Sequence, residues 1–118
     1  MSDILTKIKA FAVSLPEVTE EPHFEKSSFR VRKKIFLTFN KEFERITVKL
    51  TENDQSIYSQ INGADIRPVP NAWGKQGWTN ISIQSTAIEI ITDAIVDSYI
   101  IVAPKVLSAD VKQKFRQF

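Results

Sequence analysis

A chain of 118 residues with a formal net charge of +2, 42% hydrophobic and 25% charged residues, reads as one globular domain. That length allows a single core between two layers and is too short for two independent lobes. The absence of cysteine excludes a disulfide frame and thiolate chemistry and fits a reducing compartment. No apolar run approaches the ~20 residues that span a bilayer. Met1-Ser2-Asp3-Ile4 lacks the basic-then-apolar pattern of a signal peptide, so the expected location is the cytoplasm. A charge this close to neutral makes the distribution of bases more informative than their sum.

In chain order, Ile4, Leu5, Ile8, Phe11, Ala12 and Leu15 recur at helical spacing and predict an amphipathic helix over 3–14, stopped by Leu15-Pro16. The acidic, proline-punctuated stretch from Glu17 to His23 reads as a loop. Ser27 to Val31 and Ile35 to Phe39 read as strands joined through Arg32-Lys33-Lys34. That junction lacks the glycine or asparagine of a two-residue primed turn, which predicts a longer or bulged connection. From Phe43 to Leu50 the chain alternates, with Ile46, Val48 and Leu50 on one face and Arg45, Thr47 and Lys49 on the other.

Thr51-Glu52-Asn53-Asp54 predicts a capped helix start, and Asn62-Gly63 its end. Ile66 to Val69, limited by Pro68 and Pro70, reads as an edge strand. A strand is predicted over 79–83. A second capping box at Thr86 opens the longest helix, roughly 86–102, and Pro104 stops it. Ser108 reads as the cap of a final short helix carrying Val111 and Phe115. The predicted order α-β-β-β-α-β-β-α gives an α+β fold with a mostly antiparallel sheet, because the strand connections are too short for crossovers.

Two stretches stand out as candidate sites. Lys26, Arg30, Arg32, Lys33 and Lys34 place five bases within nine residues. On a hairpin, Arg30 and Arg32 would lie opposite Phe29 and Val31, a wing suited to phosphate contacts. The competing reading is a solvated hairpin whose lysines block edge pairing. The second stretch, Asn71 to Ile83, holds both tryptophans and two of the three glycines. Trp73 with Lys75 could form an aromatic platform, and Gly74 and Gly77 could admit a ligand close to the backbone. Alternatively the glycines serve a tight turn and a tryptophan anchors the core, Trp78 being the better core candidate and Trp73 the exposed one. His23, the single histidine, with no cysteine and scattered carboxylates, makes no zinc site. It could act as a general base only if a pocket gathered it with a carboxylate. Ser27-Ser28 lacks a nucleophile elbow, and three scattered glycines make no phosphate loop.

Over residues 4–107 these pieces resemble the MmcQ/YjbR family of small bacterial proteins, often labelled DNA-binding. The resemblance is carried by Leu15 to Glu21, by Phe29-Arg30-Val31-Arg32-Lys33-Lys34-Ile35-Phe36, by Ile46 to Leu50, by Lys75-Gln76-Gly77-Trp78-Thr79-Asn80-Ile81 and by Asp97-Ser98-Tyr99. Two departures are Lys33 where the family usually has a hairpin glycine, and Asn71-Ala72-Trp73-Gly74 where it often has a histidine and a methionine. The resemblance implies a CyaY-like, double-wing α+β fold and carries no catalytic residue. It also supplies the expected function: a cytoplasmic, non-enzymatic protein, binding nucleic acid weakly and with tolerance of sequence. In that reading Arg30, Arg32, Lys33, Lys34, Lys49 and Lys75 contact phosphates and Trp73 packs on a sugar or base. No cofactor, metal or membrane is expected, and a monomer is favoured. The alternative is a module for a small ligand or protein partner, using a groove beside Trp73 and Trp78. The nucleic-acid reading requires the exposed Trp73 segment to border the basic hairpin 26–36.

Overall fold

The computed structural model describes residues 2–23 and 26–116. Among them, α1 (Ser2–Ser14) leads into β1 (Val18–His23), β2 (Lys26–Val31), β3 (Lys34–Asn40) and β4 (Arg45–Lys49). Then come α2 (Glu52–Ser59), β5 (Ile66–Pro68), α3 (Ala72–Lys75), β6 (Trp78–Ser82), α4 (Ile88–Val102) and α5 (Lys105–Phe115). The strands form one antiparallel sheet in the order β1-β2-β3-β4-β6-β5. The predicted α+β architecture holds.

Pairing sorts the sheet residues into two faces. Phe39, Ile46, Ile81 and Ile66 lie across from one another on β3, β4, β6 and β5, and so do Leu37, Val48, Thr79 and Pro68 in the adjoining row. These rows face the helices. α4 lies over β3 and β4, flanked by α1 and α5. Ile91, Ala94, Ile95 and Tyr99 of α4, with Ile8 and Ala12 of α1, complete the buried core. Each buried isoleucine among them contributes roughly 1.5–3 kcal/mol by leaving water.

Asp97, Ser98 and Tyr99 fan out to three neighbours and lock α4 to the rest. The Ser98 hydroxyl is fully buried. It accepts from the Lys49 amide at 2.9 Å and donates to the Phe36 carbonyl at 2.5 Å. It therefore bridges β3 and β4 just where their ladder ends, beyond the Leu37–Val48 pair. Tyr99 stacks edge-on against Phe36 with ring centroids 5.5 Å apart and donates to the Pro16 carbonyl. Asp97 accepts from the Tyr58 hydroxyl of α2 and from Arg116 at the end of α5. Burial first, then this hydrogen bond, raises the Tyr58 pKa far above the ordinary phenol value.

Several local expectations are corrected. The stretch 18–23 is a strand, β1, because β2 supplies its ladder from Val18–Val31 to His23–Lys26. The β2–β3 connection is a two-residue turn after all. Val31 pairs with Lys34, and Arg32 and Lys33 take φ of 51° and 72°, the left-handed pair that a primed turn demands. The expected bulge occurs further down, between Phe29 and Arg30, leaving Phe36 without a direct partner. Thr51 caps α2 as predicted, accepting from the Asp54 amide at 3.0 Å. Thr86 does not cap α4, which starts after Ala87 without a side-chain cap; instead its hydroxyl accepts from the Asp65 amide. Ser108 lies inside α5 and donates to the Ile100 and Ala103 carbonyls. β5 is an edge strand, as Pro68 predicted.

A candidate nucleic-acid interface on the open sheet face

The parity that sends Ile46, Val48 and Ile81 to the helices sends their neighbours to the opposite face. Thr38, Thr47, Asn80 and Arg67 form one row across that face, and Asn40, Arg45 and Ser82 the next. Lys49 lies opposite Trp78, with its ammonium 5.9 Å from the indole centroid, a cation–π distance. On β2, Lys26, Ser28 and Arg30 alternate onto the same face. Arg30 donates to the Ser28 hydroxyl at 3.1 Å.

A groove of about 500 Å³ runs over this face, within the range of ligand sites. Thr38, Thr47 and Asn80 make its floor, Lys26 and Ile35 one wall, and Val69, Pro70, Trp73 and Trp78 the other, with Arg45 alongside. Among the described lining residues there is no carboxylate, histidine or cysteine. The Thr47 hydroxyl donates to Asn80 Oδ1 at 2.7 Å, leaving the Asn80 amide protons as donors for a ligand. The groove continues into a second depression of about 460 Å³ that shares Arg45, Pro70 and Asn80 and adds Phe43, Asp65, Arg67, Pro68 and Ser82. The Phe43 ring is exposed and the Arg45 guanidinium lies 5.0 Å from it.

Trp73 reaches the groove because α3 is held in a fixed place. Asn71 caps that helix by accepting from the Trp73 amide at 3.0 Å. Its φ of 80° and ψ of −160° lie in a region normally reserved for glycine. The two nearby glycines serve packing, not a ligand. A Cβ on Gly74 would lie 1.9 Å from the Val69 carbonyl oxygen, and one on Gly77 2.0 Å from that of Leu50. Gly77 also has φ of 105°. The backbone that approaches these positions is the chain's own.

The structure thus divides the predicted site residues. Lys49, Trp73 and Arg30 belong to the open face, and the Trp73 segment borders the hairpin through Lys26 and Ile35, as the nucleic-acid reading requires. Arg32 does not join Arg30. It sits in the turn and makes a two-pronged ion pair with Glu17, at 2.5 and 3.0 Å; that hydrogen bonding lowers the Glu17 pKa. Lys33 and Lys34 are exposed at the turn and the start of β3. Lys75 borders a different depression with Glu52 and Gln55. Trp78 is not a core residue. It is half-buried on the open face, and the alternation through Ile81 and Ile83 already assigns it there. Arg45, Thr47 and Asn80 were missed as site residues, although strand parity marks all three. His23 ends β1, and its side chain lies outside the described residues. Among the described residues no three potential metal ligands converge, and no helix is long and apolar enough to cross a membrane.

Residues 13–101 match the YjbR family model. The chain belongs to the YjbR family. The crystal structure of the Deinococcus radiodurans protein DR2400, which carries the DUF419 domain, is similar to it with a TM-score of 0.74 and 16% identity, covering 93% of this chain and 86% of that one. At that identity the likeness concerns the fold. No curated protein matches this YjbR chain. Within the matched residues, Ser98 and Tyr99 near the end of the long helix have structural roles. Ser98 closes the gap between β3 and β4, and Tyr99 packs on Phe36.

Proposed function

We propose that this YjbR protein is a non-catalytic, cytoplasmic nucleic-acid-binding protein that holds phosphates on the open face of its sheet. The observation that supports this most is the groove in which Lys26 and Arg45 stand beside Trp73 and Trp78 with no carboxylate among the described lining residues. Lys49 and Arg30 extend the positive charge along the same face. Contacts of this kind give affinity without sequence preference, and their strength falls with salt as counterions are released. The phosphate contacts assigned here are Lys26, Arg30, Arg45 and Lys49. Arg32 is taken by Glu17, and Lys75 faces elsewhere.

The test is fluorescence anisotropy of a labelled short DNA duplex, and of its separated strand, titrated at low and rising salt. The expected result is measurable affinity with a steep salt dependence. The triple variant Lys26→Ala/Arg45→Ala/Lys49→Ala should weaken binding about tenfold or more and flatten the salt slope. Lys75→Ala should leave both nearly unchanged. Absence of binding to either probe at low salt, or an unchanged affinity in the triple variant, would overturn the reading.

A further inference from the structure

We infer that the open face takes single-stranded nucleic acid in preference to duplex, with an unstacked base lying against Trp73 and Trp78. This rests on the proposed nucleic-acid reading and narrows it to one form of the ligand. Trp73 is 58% exposed, an unusual state for so large an apolar ring, and Trp78 lines the same groove. In a duplex the base faces are stacked on one another and covered, so a protein meets mainly phosphates and groove edges. In a single strand the faces are free to lie on aromatic rings. A face that served duplex phosphates alone would have no use for two indoles between its cations.

The polar floor fits the same occupant. Thr38, Thr47 and the Asn80 amide protons present donors and acceptors to a base edge or a sugar hydroxyl. The track is also longer than one nucleotide requires. Past the shared Arg45, Pro70 and Asn80, the neighbouring depression offers the exposed Phe43 ring beneath the Arg45 guanidinium. The Asp65 carboxylate that lines it is engaged by Arg67 at 3.1 Å. Aromatic stations separated by cations suit a strand whose bases and phosphates alternate along its length.

Both of the chain's tryptophans line this groove, so tryptophan fluorescence, excited at wavelengths that tyrosine does not absorb, reports the site. The experiment titrates the protein with an oligothymidine strand, with a duplex containing that strand and with thymidine monophosphate, following both fluorescence and anisotropy. The expected result is quenching by the strand and affinity roughly tenfold or more above that for duplex and mononucleotide, as stacking of one or two bases would give. Trp73→Ala should weaken strand binding about tenfold or more and duplex binding far less, so that the preference is lost. Trp73→Phe should retain part of it. Equal affinity for strand and duplex without quenching would overturn this inference and leave the phosphate reading standing. Binding of thymidine monophosphate as tightly as the strand would overturn it in favour of a small-ligand site. No binding of any probe would overturn both.

Discussion

The two faces of this sheet are built from alternate residues of the same strands, yet they obey different rules. On β6, Thr79 and Ile81 are buried without exposed surface, while Trp78, Asn80 and Ser82, which alternate with them, remain half-open. The helix-covered face is a packed interior, in which every side chain is bound by its neighbours' volume. The open face carries polar and charged side chains, the Glu21 carboxylate across from Ser28 among them, together with the rings of Trp73 and Trp78. The contrast teaches that stability and recognition are separated here by parity along a strand, not by distance. A site one residue away from the core can vary without unfolding the protein.

The contrast is tested most severely on β6 itself. Ile81→Ala should cost about 3 kcal/mol in denaturant unfolding, through lost burial and the cavity left behind. Ser82→Ala, the next residue, should stay within about 0.5 kcal/mol. Comparable losses at both positions would show that the open face is covered by something that packs. A smaller effect is expected where the faces are joined. Ser98→Ala removes the hydroxyl shared by the Lys49 amide and the Phe36 carbonyl and should cost about 2 kcal/mol by leaving both unpaired. Because Lys49 sits at that joint, hydrogen exchange at its amide should quicken more than at Val48, and equal protection would argue against the bridge. The smallest effect belongs to the turn, which lies on neither face. Lys33→Gly should stabilise by about 0.5 kcal/mol, relief of the left-handed φ exceeding the added freedom of the unfolded chain. It should also leave the affinity of the Trp73 groove nearly unchanged, and a large loss of binding would restore the turn to the interface.

Much of this was legible in the residues. Alternation from Arg45 to Leu50 gave the correct two faces of β4, and the helical stripe Ile8-Ala12-Leu15 gave the buried side of α1. Trp78 was misassigned by its type: a large ring beside a strand suggests an anchor, whereas parity with Ile81 already pointed it outward. Arg32 was misplaced for a different reason. Its partner Glu17 is distant in sequence and comes near only because β1 pairs with β2. The segment 18–23 reads as a loop because Glu20, Glu21 and Pro22 are poor strand formers, and the ladder from β2 overrides that preference.

By itself, then, the sequence determined the α+β class, the register of buried and exposed positions within most strands, the capped start of α2, the end of α4 and the edge position of β5. These follow from local rules: period, capping chemistry and the constraints of proline. Only the tertiary structure decided which outward residues meet. The neighbourhood of Lys26, Arg45, Trp73 and Asn80 depends on strand order, with β6 inserted between β4 and β5, and on the tight seating of Gly74 and Gly77 against neighbouring carbonyls. Pairing between distant strands is set by how all the buried surfaces fit at once, and that sum is not written in any one segment.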